Sequence, residues 1–217
     1  MIGNLTELIF ILDRSGSMQG LEGDTIGGFN AMLKKQKALP GTCNVTTVLF
    51  DDRYELLHQR ADLHQVAPLT GKDYSVRGST ALLDAIGRTV ENAGRLQKYL
   101  PPQERAQQVV VVIITDGMEN ASTRYDRATI QALVKRQQER HGWEFLFLGA
   151  NMDAIDAAGQ VGIRHDRAAR YHADHEGTQL NYAVLSDAIG QVRCAQPMSE
   201  DWKDRIDQDY LGRKGDR

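Results

Sequence analysis

Glu7-Leu8-Ile9-Phe10-Ile11-Leu12-Asp13-Arg14-Ser15-Gly16-Ser17-Met18 is the stretch on which the fold turns. Leu8–Leu12 is apolar at every position, so no alternation marks a solvent face. Such a run predicts a central strand of a parallel sheet, buried on both sides. The chain must turn directly after it, and Gly16 permits the turn. Asp13, Ser15 and Ser17 alternate with other residues, so three oxygen-bearing side chains can meet above the strand end. An oxygen-only set suits a hard cation such as Mg²⁺, Ca²⁺ or Mn²⁺. The plainer alternative for these few residues is a polar turn leading into a helix.

The remaining segments alternate between the two periods. Asp24 is placed to cap a helix carrying Ile26, Phe29 and Leu33, which Pro40-Gly41 ends. Asn44–Phe50 is rich in β-branched residues and predicts a second strand. Asp51-Asp52 reads as a tight turn into Arg53–His58, an antiparallel edge strand. After Gly78-Ser79-Thr80 comes an amphipathic helix with Leu82, Leu83, Ile86, Val90 and Ala93 on one stripe. Val109–Ile114 is six consecutive β-branched residues ending in Thr115-Asp116-Gly117, the strongest strand signal in the chain. A helix over Asp126–Glu139, a strand over Glu144–Leu148 closed by Gly149-Ala150-Asn151, and a helix over Met152–Gln160 follow. A weaker strand at Ala168–His172 and a long helix over Gly177–Arg193 complete the pattern. Strands alternating with helices predict an α/β fold with a mostly parallel sheet of six strands.

Composition sets outer limits. The 217 residues suit one domain with a substantial core, and 41% hydrophobic with 25% charged residues is ordinary for a globular chain. A net charge of −3 gives no electrostatic reason to expect nucleic acid or an anionic membrane. Cys43 and Cys194 are the two cysteines and match no ligand spacing. The N-terminal residues have no basic region and the apolar run is too short for a signal or a span. A cytoplasmic protein, monomeric when alone, is the expectation. Residues 1–196 are expected to form the domain, and 197–217, strongly charged, a loosely ordered tail. Within that tail Trp202, Ile206 and Tyr210 recur every four residues, a stripe for a short helix docked on a partner or, as the plainer alternative, on the domain itself.

In open α/β sheets, sites form beyond the carboxyl ends of strands that send their helices to opposite faces. If the first strand lies beside Val109–Ile114, Asp13 and Asp116 face each other there, with hydroxyls from Ser15, Ser17 and Thr80. In their order and positions, Asp-Arg-Ser-Gly-Ser, Gly-Ser-Thr-Ala-Leu and Ile-Thr-Asp-Gly-Met-Glu-Asn resemble the D-x-S-x-S, T and D elements of the von Willebrand factor A domain. The resemblance covers roughly Leu5 to Arg193 and implies a Rossmann-like, doubly wound sheet with one antiparallel edge strand. It also implies a metal-ion-dependent adhesion site: Ser15, Ser17 and Thr80 as direct ligands, Asp13 and Asp116 acting largely through water. A partner's acidic side chain would complete the metal shell. By analogy the setting would be bacterial or phage.

Two functions follow from such a site. The first is a binding module whose protein partner gives a carboxylate to Mg²⁺, with Mn²⁺ or Ca²⁺ as substitutes; the second is a hydrolase using the same ion as a Lewis acid. No histidine lies in the motif loops to activate Ser15, and no Gly-x-x-x-x-Gly-Lys phosphate loop is present, which favours the non-enzymatic function. His172, Asp174 and His175, with His165 nearby, form a lesser metal candidate against ordinary solvated histidines. Asp84 and Glu119 near the site have capping roles as their simplest explanation.

Overall fold

The computed structural model describes residues 5–150 and 153–214. Six strands form one sheet: β1 (Leu5–Asp13), β2 (Thr42–Phe50), β3 (Tyr54–Asp62), β4 (Gln108–Thr115), β5 (Glu144–Ala150) and β6 (Ala168–Tyr171). Their order is β3-β2-β1-β4-β5-β6. All neighbours are parallel except β2 and β3, so the expected antiparallel edge hairpin is present. The helices are α1 (Glu22–Lys37), α2 (Leu82–Tyr99), α3 (Arg127–His141), α4 (Ala154–Gln160), α5 (His175–Arg193) and α6 (Asp204–Lys214). This is the doubly wound, Rossmann-like arrangement that the strand patterns predict.

The strand pleat sorts the core into two layers, because successive side chains point to opposite faces. Leu8, Phe10 and Leu12 of β1, with Val110, Val112 and Ile114 of β4, pack with Phe29 and Met32 of α1 and Leu185 and Ile189 of α5. Ile9 and Ile11, with Val111 and Ile113, face Ile86 and Val90 of α2, Ile130 and Val134 of α3, and Ala158 of α4. Both faces of β1 and β4 are therefore covered, which is why neither strand alternates. β1 sits between β2 and β4, with Leu12 level with Ile114 and Asp13 level with Phe50. That register brings the polar ends of β1 and β4 side by side.

Several local expectations change. α1 begins at Glu22 rather than at an Asp24 cap; a short 3₁₀ turn over Gly16–Met18 carries the chain to it, and Asp24 instead meets His175 Nδ1 at 2.5 Å. β3 runs on to Asp62, because an irregular register with β2 lets pairing resume beyond His58. The segment Leu63–Gln65 is a 3₁₀ turn capped by the Asp62 side chain. Thr80 lies in the loop before α2, which starts at Leu82. α4 is capped by Asp153; Asn151 and Met152, expected to end β5 and begin this helix, lie outside the described residues.

The largest correction concerns the tail. Residues expected to be loose form α6, with Trp202 and Ile206 buried in the α1/α5 layer. Trp202 Nε1 donates to the Asp166 carbonyl at 2.8 Å, and the Tyr210 ring stacks on His172 with centroids 4.7 Å apart. The charges that suggested disorder share the helix with this single apolar stripe, so composition and periodicity gave opposite signals. No helix among the described residues is long and apolar enough to cross a membrane.

Candidate metal centre

The site grows out of the ends of β1 and β4. Asp13 is buried at the last position of β1, with one carboxylate oxygen taking the Ser15 N–H at 2.7 Å and the other the Thr115 hydroxyl at 2.5 Å. The Asp13 carbonyl accepts from Tyr74 OH. Ser15 and Ser17 then present their hydroxyls 3.1 Å apart, and the Ser17 hydroxyl donates to Asp116 Oδ1. From the opposite loop, Thr80 is fixed through its backbone: its N–H donates to Asn120 Oδ1 at 2.9 Å, and its carbonyl accepts from Asn120 N–H at 3.0 Å. Gly117 lies among these groups. A Cβ at that position would sit 2.7 Å from Thr80 Oγ1, 3.0 Å from Ser17 Oγ and 3.4 Å from Ser15 Oγ. Only a residue without a side chain leaves the three hydroxyls this space.

Electrostatics point the same way. Asp116 has its carboxyl raised to about 6 by burial and then by the neighbouring Asp13 charge, against the lowering effect of the Ser17 hydroxyl. Asp13 is also raised, mainly by burial, although Thr115 and Ser15 hydrogen-bond its carboxylate. Two carboxylates thus share a sheltered spot, and Arg14, next to Asp13 in the chain, is turned elsewhere. Arg14 is buried and pairs with Asp51 at 3.1 Å and with Glu55 at 2.8 Å. Two carboxylates and three hydroxyls are a hard-oxygen donor set of low ligand charge, and they fit a divalent cation.

The loops are held by residues whose roles the sequence concealed. Asp51, which reads in the sequence as a turn residue, is fully buried and binds Arg14, Arg77 at 2.7 Å and the Arg53 N–H. Burial opposes its charge, yet the Arg77 hydrogen bond, the Arg53 N–H and the Arg14 charge hold its carboxyl below the ordinary range. Backbone bonds complete the link: Arg77 N–H to the Arg14 carbonyl, Gly16 N–H to the Gly78 carbonyl, and Ala81 N–H to the Asp51 carbonyl. Gly78 holds φ +69°, a left-handed value that suits glycine. A usable signal was present: Arg14 and Arg77 occupy loops whose nearest motif carboxylate, Asp13, is committed to the proposed site, so each needs an acidic partner from elsewhere. Glu119 accepts from the N–H groups of Leu83, Ala121 and Ser122, and Asp84 from those of Thr123, Arg124 and Tyr125. Both carboxylates therefore fasten the loop after β4 to the start of α2.

The lesser candidates separate. His172 bonds the Tyr210 carbonyl, His175 meets Asp24, and Asp174 caps α5 through the Gly177 N–H. Among the described residues, no group of three or more His, Cys, Asp or Glu side chains is placed to hold a metal ion. The Asp13 centre depends on hydroxyls for its remaining donors.

No protein-family model matches the chain, and no curated protein matches it either. Solved structures do resemble it. Proximal thread matrix protein 1 from the mussel byssus, with a zinc-occupied MIDAS motif, aligns at TM-score 0.58 and 17% identity over 88% of this chain and 46% of that one. The von Willebrand factor type A protein from Catenulispora acidiphila aligns at 0.53 and 15%, over 84% and 42% respectively. Manganese-loaded TRAP protein from Plasmodium vivax aligns at 0.56 and 16%, over 86% and 73%. The chain spans less than half the length of the mussel and Catenulispora chains. At such identities the likeness defines the fold: a von Willebrand factor A-type α/β sheet.

Proposed function

We propose that this chain is a metal-dependent protein-binding module. Asp13, Ser15, Ser17, Thr80 and Asp116 would hold a divalent cation, Mg²⁺ by the hardness of the donors, for capture of an acidic side chain from a partner. The observation that carries this is the cradle at Gly117, where three hydroxyls crowd the space a Cβ would fill beside two close carboxylates. The zinc and manganese named in the two structural relatives support a divalent ion without choosing among metals. When bound, the ion supplies a Lewis-acidic centre that attracts an anionic oxygen.

The chain's own groups set the terms of that capture. Asp13 and Asp116 together roughly balance a divalent charge, and the neutral hydroxyls leave its attraction for a further carboxylate undiminished. Asp13 is fixed by Ser15 N–H and Thr115, so it is oriented before any ligand arrives. Ser15 Oγ has Ser17 Oγ as its partner, a hydroxyl that is no general base, and this supports binding over hydrolysis.

Calorimetric titration of Mg²⁺ or Mn²⁺ into chelator-treated protein tests the assignment. A saturable one-site signal that Asp13→Ala abolishes is expected. An unchanged signal in Asp13→Ala would place the ion elsewhere.

A further inference from the structure

At the opposite pole of the sheet from Asp13 and Asp116, a groove of about 820 Å³ opens between α2 and α3. Val109, at the start of β4, and Trp143, just before β5, form part of its floor. Asp116 follows the far end of β4, so a whole strand length separates the groove from the proposed metal site. Arg95, Lys98, Arg105 and Arg136 line it, with His141, and among the described residues Glu91 is the single carboxylate of the lining. Glu91 is engaged by the Tyr125 hydroxyl at 2.8 Å. Among the described residues, none of the four cations has a carboxylate within 4.0 Å.

Helix chemistry explains part of this. Lys98 and His141 fall in the last turns of α2 and α3, where the dipole favours positive charge. Arg105 donates to the Leu100 and Lys98 carbonyls and so closes the end of α2. Arg95 and Arg136 lie outside the last turns, and Arg95 reaches only the Asn92 amide. Four cations against one carboxylate sit in a chain whose net charge is −3, so the rest of the molecule is more acidic than its total.

We infer that this groove binds a short acidic peptide segment of a partner protein, independently of the metal centre. Charge complementarity selects the class of ligand. The cations are spread along both walls, Arg95 and Lys98 on α2 and Arg136 on α3, which matches several carboxylates in series better than one compact anion. A long nucleic-acid strand would run off the groove onto the acidic remainder, whereas a short segment ends within it. With the metal site at the other pole, the chain could hold two partners at once.

The test uses the whole chain in excess EDTA at low salt. The ligand is a fluorescein-labelled peptide of about eight alternating Asp and Glu residues, roughly 25 Å when extended. Fluorescence anisotropy should show saturable binding, weakened about tenfold in Arg95→Glu/Arg136→Glu. Lys34→Glu/Lys35→Glu changes the net charge equally on the other layer and should leave affinity near wild type. The neutral Arg95→Gln/Arg136→Gln pair should fall between, with far-UV circular dichroism confirming the fold of each variant. Equal losses in the groove and control pairs, or absent saturation, would overturn the inference. So would a labelled single-stranded oligonucleotide of the same charge binding the groove more tightly than the peptide. Because EDTA is present throughout, the outcome is separate from that of the metal assignment.

Discussion

Asp116 carries the energetic signature of the site. Its carboxyl is raised to about 6 by burial and by Asp13, above the ordinary value of 3.8. The folded state then holds more protons than the unfolded state between those two values, so this group's contribution falls as pH rises through that window. In metal-free buffer at pH 7, Asp116→Asn should therefore stabilise the fold by about 1 kcal/mol after allowing for solvent screening, read as a higher midpoint of thermal unfolding. The gain should vanish below about pH 4, where wild-type Asp116 is protonated in both states. The thermal shift given by Mg²⁺ should run the other way, shrinking as pH falls toward 6, because protons compete for the carboxylates. A Mg²⁺ shift that stays constant from pH 7.5 to pH 5 would contradict the assignment. Gly117→Ala tests the cradle by geometry alone: its methyl would crowd Thr80 Oγ1 and Ser17 Oγ, so Mg²⁺ binding should be lost while the sheet remains. Isothermal titration beside far-UV circular dichroism separates the two.

The loops that bear these residues are joined as one unit through Asp51. Arg14 follows Asp13, Arg77 precedes Gly78, and both bind the same fully buried carboxylate. Removing one partner of a buried pair leaves an uncompensated charge, which costs about 3–5 kcal/mol. Asp51→Ala should lower the urea midpoint by an amount near the low end, since Arg77 is half-exposed and Glu55 still faces Arg14. Equilibrium unfolding measures it; a loss under about 0.5 kcal/mol would mean the arginines find water or other partners. Asp51 also shows where sequence reading stops. β1 and β4 were legible because unbroken apolar runs have one buried solution, and the ends of those runs placed Asp13 and Asp116. Thr80 entered the proposed set from its place before α2 and from the family resemblance, whereas the alternation of Asp13, Ser15 and Ser17 was legible from spacing. Asp51, Thr115, Tyr74 and Asn120 were not, because their partners lie far along the chain and only the fold brings them together. The tail gave two opposite signals: its charges pointed to a loose end, whereas the four-residue recurrence of Trp202, Ile206 and Tyr210 pointed to the docked helix that is observed.

Across the whole molecule, the proposed metal chemistry and the stability of the fold reside in different groups. Site side chains stand at the last position of β1 and on the loops beyond the strand ends, while two apolar layers bury both faces of β1 and β4. The layer holding α1 and α5 extends to Trp202, just before α6, and to Ile206 within it, beside the short edge strand β6. Lys203 Nζ, just before α6, also donates to the Ala168 carbonyl of β6 at 2.7 Å and ties the tail to this strand. Truncating a buried Trp costs about 3–5 kcal/mol in lost transfer energy and cavity formation. Trp202→Ala should thus lower the urea midpoint strongly and promote aggregation on heating. Thr80→Ala should do neither, since Thr80 is held through its backbone N–H and carbonyl, which alanine keeps. Excess chelator should likewise leave the far-UV spectrum of wild type unchanged and lower its urea midpoint only by the modest contribution of ligand binding, the counterpart of the Mg²⁺ thermal shift. Thr80→Ala should still weaken the calorimetric Mg²⁺ signal, which Trp202→Ala retains below its unfolding midpoint. If chelation instead shifted the urea midpoint as far as Trp202→Ala does, the ion would be part of the core, and the separation of binding loops from scaffold would fail.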